Sequence, residues 1–171
     1  MSCVLSNAIS TVGPNSGIIP HMPATRSNSA PSWTQRLAAR FYFLRGNLHR
    51  QLGNASGERR EYQWAVDDFS RALDRDAGLV AAYYNRGVLY WRELENWHRT
   101  IRDLTRVTEL APHWHEAWFN RAIAFQRRGD LASAAADLQH YLTVATDPGW
   151  RANAERQLAL ITAILHESRS R

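Results

Sequence analysis

The chain has 171 residues, enough for one domain of ordinary size and a tail. Its 21 basic residues outnumber 16 acidic ones, giving a net charge of +5, and all 21 are arginine; lysine is absent. No run approaches the roughly 18 apolar residues of a membrane span, which argues against an integral membrane protein, and the single cysteine, Cys3, argues against a disulfide framework or a cysteine-cluster metal site.

Residues 1–32 carry one charge, Arg26, and are rich in Ser, Asn, Pro and Gly. Their apolar residues come in pairs, Val4-Leu5 and Ile18-Ile19, too small to bury, so a disordered N-terminal tail is expected. The segment lacks the basic start and long apolar run of a secretory signal. The absence of acids before Glu58 keeps a transit peptide open as the alternative, although one arginine is few for such a peptide.

A pattern then recurs three times. Tyr42, Tyr83 and Trp118 are each followed, three and four residues later, by an arginine and a small residue: Arg45-Gly46, Arg86-Gly87 and Arg121-Ala122. Three residues further on stand His49, Tyr90 and Phe125. A second block follows each copy: Ala65-x3-Phe69-x2-Ala72, Thr100-x3-Leu104-x2-Val107 and Ala134-x3-Leu138-x2-Tyr141. Gly87 and Ala122 are 35 residues apart, and Thr100 and Ala134 are 34 apart. Apolar residues at three- and four-residue spacing place each block on a helix. First helices are predicted over 33–52, 82–94 and 114–128, and second helices over 61–76, 97–109 and 131–145. The small residues of each pair let the two axes approach closely.

The pattern resembles the tetratricopeptide repeat over about residues 39–147, with repeats at about 39–78, 79–113 and 114–147. The resemblance implies an all-α fold, an α-solenoid of helix–turn–helix units within residues 33–147. Gly129-Asp130 is a tight-turn signal, whereas Gly53 to Glu58 reads as a solvated loop inserted between the first two helices. Where the family has a leucine this chain has Arg45, Arg86 and Arg121, and each second helix carries an aspartate: Asp68, Asp103 and Asp137. A buried guanidinium needs a partner, so the three arginines are expected to pair with the three aspartates, within a unit or between adjacent units. Beyond the third unit, Trp150, Ala154, Leu158, Ile161 and Leu165 form a helical stripe. Residues 148–171 are therefore expected to cap the solenoid, with Arg151, Glu155, Arg156 and Glu167 on the outer face.

The resemblance also implies a groove that binds an extended peptide or a partner helix. Its positions fall on Arg40, Phe43, Leu44, Asn47, Arg50 and Gln51, then Tyr84, Asn85, Val88, Trp91 and Arg92, then Glu116, Phe119, Asn120, Ile123, Gln126 and Arg127. The family's carboxylate clamp, which grips chaperone C-terminal tails, matches here only at Asn47 and Asn85. Its lysine positions hold Phe43 and Glu116 and its arginine position holds Asn120, so a chaperone tail is not the expected ligand. The predicted first helices carry nine arginines and two glutamates, which favours a ligand of acidic character. The expected function is a protein–protein interaction module, an adaptor or assembly scaffold in the cytoplasm, with no cofactor.

Other readings stay open. Exposed Trp64 or Trp97 could drive self-association. Arg59-Arg60 and Arg127-Arg128 are the longest basic runs on which a nucleic-acid-binding repeat could rest. The His113-Trp114-His115-Glu116 cluster lacks a third metal ligand. No phosphate loop or nucleophile elbow is present, so an enzyme is not expected.

Overall fold

The structure is a computed structural model that describes residues 30–169. Expectations for the tail before Ala30 lie outside these residues. Seven helices follow one another among the described residues: α1 Trp33–Ser56, α2 Arg59–Arg75, α3 Val80–Arg92, α4 Trp97–Leu110, α5 His115–Arg127, α6 Leu131–Val144 and α7 Pro148–Arg169.

Local chemistry sets most boundaries. Ser32 opens α1 with a capping box: Gln35 N donates to Ser32 Oγ at 3.2 Å and Ser32 N donates to Gln35 Oε1 at 2.7 Å. Asn96 and Asp130 cap α4 and α6 by accepting from the backbone amides of Arg99 and Ser133. Pro148 stands at the first position of α7, where its missing N–H is not needed. Gly129 turns the chain between α5 and α6 at φ 84°.

The helices pack as the pairs α1/α2, α3/α4 and α5/α6, each pair stacking on the next, with α7 on α6. Phe69, Leu104 and Leu138, one from each second helix at equivalent positions, are fully buried. They stand opposite the small residues of the first helices. A Cβ on Gly46 would lie 2.8 Å from the Phe69 ring, and one on Gly87 would lie 3.3 Å from Leu104. Ala65, Thr100 and Ala134 are likewise buried where the axes approach.

The expected loop at 53–58 is not there. Helix α1 runs on through Ser56 and only Gly57 and Glu58 connect it to α2. The extra residues form another helical turn because Gly53 lets the Tyr62 ring lie against it. A Cβ there would meet the ring at 2.7 Å, and the Tyr62 hydroxyl donates to Asn54 Oδ1 at 3.2 Å. Gly57, at φ 72°, supplies the left-handed residue that ends the helix.

Candidate functional site

Each arginine–aspartate pair closes within its own unit through two parallel bonds. Arg45 Nε and Nη2 donate to Asp68 at 2.6 and 2.5 Å, Arg86 to Asp103 at 2.7 and 2.8 Å, and Arg121 to Asp137 at 2.7 and 2.7 Å. The second and third arginines also reach back to the preceding unit. Arg86 Nη1 donates to Ser70 Oγ at 2.9 Å, and Arg121 Nη1 donates to Thr105 and Thr108 hydroxyls at 3.1 and 2.8 Å. These arginines thus staple one pair to the next. Burial opposes the Arg86 charge, but the bonds and charge of Asp103 outweigh it and hold the guanidinium pKa above its usual value.

Between α3, α5 and the start of α7 lies a cleft of about 670 Å³. Its apolar surface comes from Val88 and Trp91 of α3, Phe119 of α5, Tyr141 and Ala145 at the end of α6, and Trp150 of α7. Polar groups converge on it: Arg92, His115, Glu116, Asn120, Thr146 and Asp147. Tyr84 stacks on Trp114 with ring centroids 4.8 Å apart, and Asn120 Nδ2 donates to the Tyr84 hydroxyl at 3.1 Å. Burial, reinforced by Glu116, pushes the Tyr84 phenol pKa up, against the Asn120 hydrogen bond and Arg92. Burial also raises that of Tyr141, helped by Glu116 and Asp147. Both phenols are therefore neutral donors at physiological pH. His115 Nδ1 is buried with no hydrogen-bond partner among the described residues.

Of the positions expected in the groove, Tyr84, Val88, Trp91, Arg92, Glu116, Phe119 and Asn120 converge on this cleft. The others lie elsewhere. Phe43 packs against the core, its ring 5.7 Å from Phe69. Asn47 accepts from Asn85 Nδ2 at 3.0 Å and donates to the Phe43 carbonyl at 3.1 Å, so the two clamp-type asparagines largely satisfy each other. Arg50 leans on Asn47 Oδ1 at 3.5 Å. Ile123, Gln126 and Arg127 border α7 beside Gln157 and Leu160. Arg40 and Leu44 are solvent-exposed on α1.

Tyr141, Thr146, Asp147 and Trp150 are additions that the repeat pattern did not supply. Trp150 was expected in the buried stripe of the last helix; it is instead 56% exposed, edge-on to Phe119 at 5.5 Å. The stripe itself consists of Ala154 and Ile161, fully buried, with Leu158 and Leu165 partly so. Arg151, expected on the outer face, folds back so that Nη1 donates to the carbonyls of Leu142 and Ala145 at 2.6 and 3.0 Å. The unpaired carbonyls at the end of α6 attract it there. Trp64 is 42% exposed beneath Arg60, and Trp97 is half-buried. Among the described residues no three His, Cys, Asp or Glu side chains gather to hold a metal, and no helix is long and apolar enough to cross a membrane.

Residues 87–163 match the family model described as tetratricopeptide repeat. Residues 87–163 carry the tetratricopeptide-repeat pattern. Over 82 residues, 48% of the chain, it is 33% identical to the heat shock protein sti1 homolog of Schizosaccharomyces pombe, of whose length it spans 14%. Among solved structures it is similar to the first TPR of Spaghetti (RPAP3) bound to HSP90 peptide SRMEEVD. There the TM-score is 0.63 at 20% identity, over 77% of this chain and 95% of that one. It is also similar to the Sgt2 TPR domain from Aspergillus fumigatus, with a TM-score of 0.60 at 18% identity over 83% and 85% of the two chains. At these identities the likeness establishes the helical repeat fold.

Proposed function

We propose that this chain is a cytoplasmic protein-interaction module, an adaptor or scaffold rather than an enzyme. It captures an extended peptide or partner helix in the cleft between α3, α5 and α7. The observation that carries this reading is the combination of an apolar cleft with unspent polar groups. Trp91 and Trp150 offer rigid area at small entropic cost, while Asn120, Arg92 and Glu116 can fix a peptide's direction. Its volume of about 670 Å³ falls in the ordinary range for ligand sites. The preference for an acidic ligand rests on the arginine surplus of the first helices, since within the cleft itself Arg92 faces two carboxylates, Glu116 and Asp147.

Relatives of this fold include a domain solved with a chaperone peptide, and this weighs against our expectation that such tails are not the ligand. The reason to keep that expectation is chemical: the chain has no lysine, and Asn47 and Asn85 are bonded to one another. The test is selection of phage-displayed peptides on the wild-type chain, with a Trp150→Glu chain in parallel and SRMEEVD titrated separately. Enrichment on wild type that Trp150→Glu abolishes is the expected result, with no saturable SRMEEVD binding. Equal enrichment on both chains would remove the cleft as the site, and saturable SRMEEVD binding would overturn the exclusion of chaperone tails.

A further inference from the structure

Helix α1 turns a continuous apolar ridge to solvent. Trp33, Leu37, Phe41, Leu44, Leu48 and Leu52 are each 45–75% exposed, and at about 100° per residue they fall within about 100° of helix arc. The same helix positions are covered in the later units. When Gly46 is aligned with Gly87 and Ala122, Phe41 corresponds to Ala82 and Ala117, and Leu48 corresponds to Leu89 and Ala124. All four counterparts are buried, in helices that pack on the preceding pair. Leu44 corresponds to Asn85 and Asn120, which hydrogen-bond across to the preceding first helix. The ridge is thus the stacking face of a repeat, enlarged to bulky side chains and left without a neighbour among the described residues. Arg45 agrees: Arg86 and Arg121 each donate a further bond to a hydroxyl of the preceding pair, whereas the bonds of Arg45 among the described residues go to Asp68.

We infer that a second copy of this chain covers the ridge, α1 against α1 in antiparallel orientation about a two-fold axis. The spacing of the six residues is four, four, three, four, four, which reads identically in both directions. In a two-fold pair centred between Phe41 and Leu44, Leu37 therefore meets Leu48 of the other copy, Trp33 meets Leu52, and Phe41 meets Leu44. Self-complementarity of this kind is what an isologous interface requires, and it closes at two chains. The area is adequate. Six large apolar side chains, about half exposed, offer on the order of 600 Å² per copy, near the roughly 800 Å² per partner of a standard interface. Arg36, Arg40 and Arg50 flank the ridge and would suit an acidic partner helix, but the ridge itself is four leucines, a tryptophan and a phenylalanine in a self-complementary spacing, and this favours a second copy as the occupant. This surface is separate from the cleft, so either can fail without the other.

Sedimentation equilibrium on the full chain tests the inference. At micromolar concentration the expected mass is twice the 19.6 kDa of one chain, and raised salt does not dissociate it, since the contact is apolar. Leu44→Glu is expected to weaken association by about a hundredfold, because the two-fold axis buries the new carboxylate twice. Its circular dichroism stays unchanged, as Leu44 is exposed in the single chain; should that spectrum change, Leu37→Glu, two turns away, serves the same reading. Orientation is read in a Cys3→Ser background: Leu37→Cys chains cross-link to Leu48→Cys chains on oxidation and not to themselves. A monomer at all concentrations, an assembly larger than two, a dimer unaffected by both glutamates, or cross-linking of Leu37→Cys to itself would each overturn the proposal.

Discussion

At the C-terminal end of the described chain, α7 lays Ala154 and Ile161 into the last repeat and finishes the core. At the other end, α1 presents an apolar face from Trp33 to Leu52 that none of the other described helices covers. The same stacking surface is closed by a helix of the chain in one place and left open in the other. A repeat buries its face only against a neighbour, so an end without one must recruit cover, and residue size records the choice. Alanine suffices at positions 82, 117 and 124, where a helix already lies close; position 41 holds phenylalanine.

The contrast can be broken most forcefully at the staples. Arg86→Ala leaves Asp103 buried beneath the second unit and is expected to cost about 3–5 kcal/mol in urea unfolding. Arg45→Ala should cost only about 1 kcal/mol. The difference lies in exposure, 37% for Arg45 against 11% for Arg86, since each aspartate keeps a second arginine, Arg71 at 3.5 Å from Asp68 and Arg102 at 3.7 Å from Asp103. Equal losses would mean that the first unit is as tightly tied as the second. Next in size, Ile161→Ala at the closed end is expected to cost about 2–4 kcal/mol, through the cavity it leaves. Leu44→Ala at the open end should change the stability of an isolated chain by less than about 0.5 kcal/mol.

Smaller again is the effect of adding one methyl group. Gly46→Ala must push the Phe69 ring away from 2.8 Å and is expected to destabilise by about 1–2 kcal/mol; Gly87→Ala, with contacts at 3.3 Å, should cost less than half of that. The smallest effect concerns the cleft. The Tyr84 and Tyr141 phenols are held above their usual value of 10.0, so they favour folding below that pH and lose this contribution as pH rises through their folded-state values. Ultraviolet titration of Tyr84→Phe and Tyr141→Phe chains should each show the loss of a phenol that ionises above the ordinary range; loss of one that ionises within that range would contradict the assignment.

Much of this was legible in the sequence because it recurs. Three arginines and three aspartates at fixed offsets could be paired before any coordinates, and the fold follows from the same repetition. What occurs once was read less well. Gly53 to Glu58 looked like a loop from composition alone, because the packing of Tyr62 on Gly53 is a tertiary contact that no local signal announces. Trp150 fitted a helical stripe by spacing, yet the cleft beside Phe119 draws it out of the buried face. The exposed ridge could have been found by asking why α1 carries Phe41 and Leu48 where the other units carry alanine or a covered leucine; Leu44 was instead assigned to the groove.

The central claim is that ligand capture occurs in the cleft bordered by α7. Hydrogen–deuterium exchange on the wild-type chain, with and without a peptide obtained by phage selection, tests it most directly. Slowed exchange is expected in residues 84–92, 115–120 and 145–151, with α1 unchanged. Protection confined to residues 33–52, or absent from all three cleft segments, would contradict it.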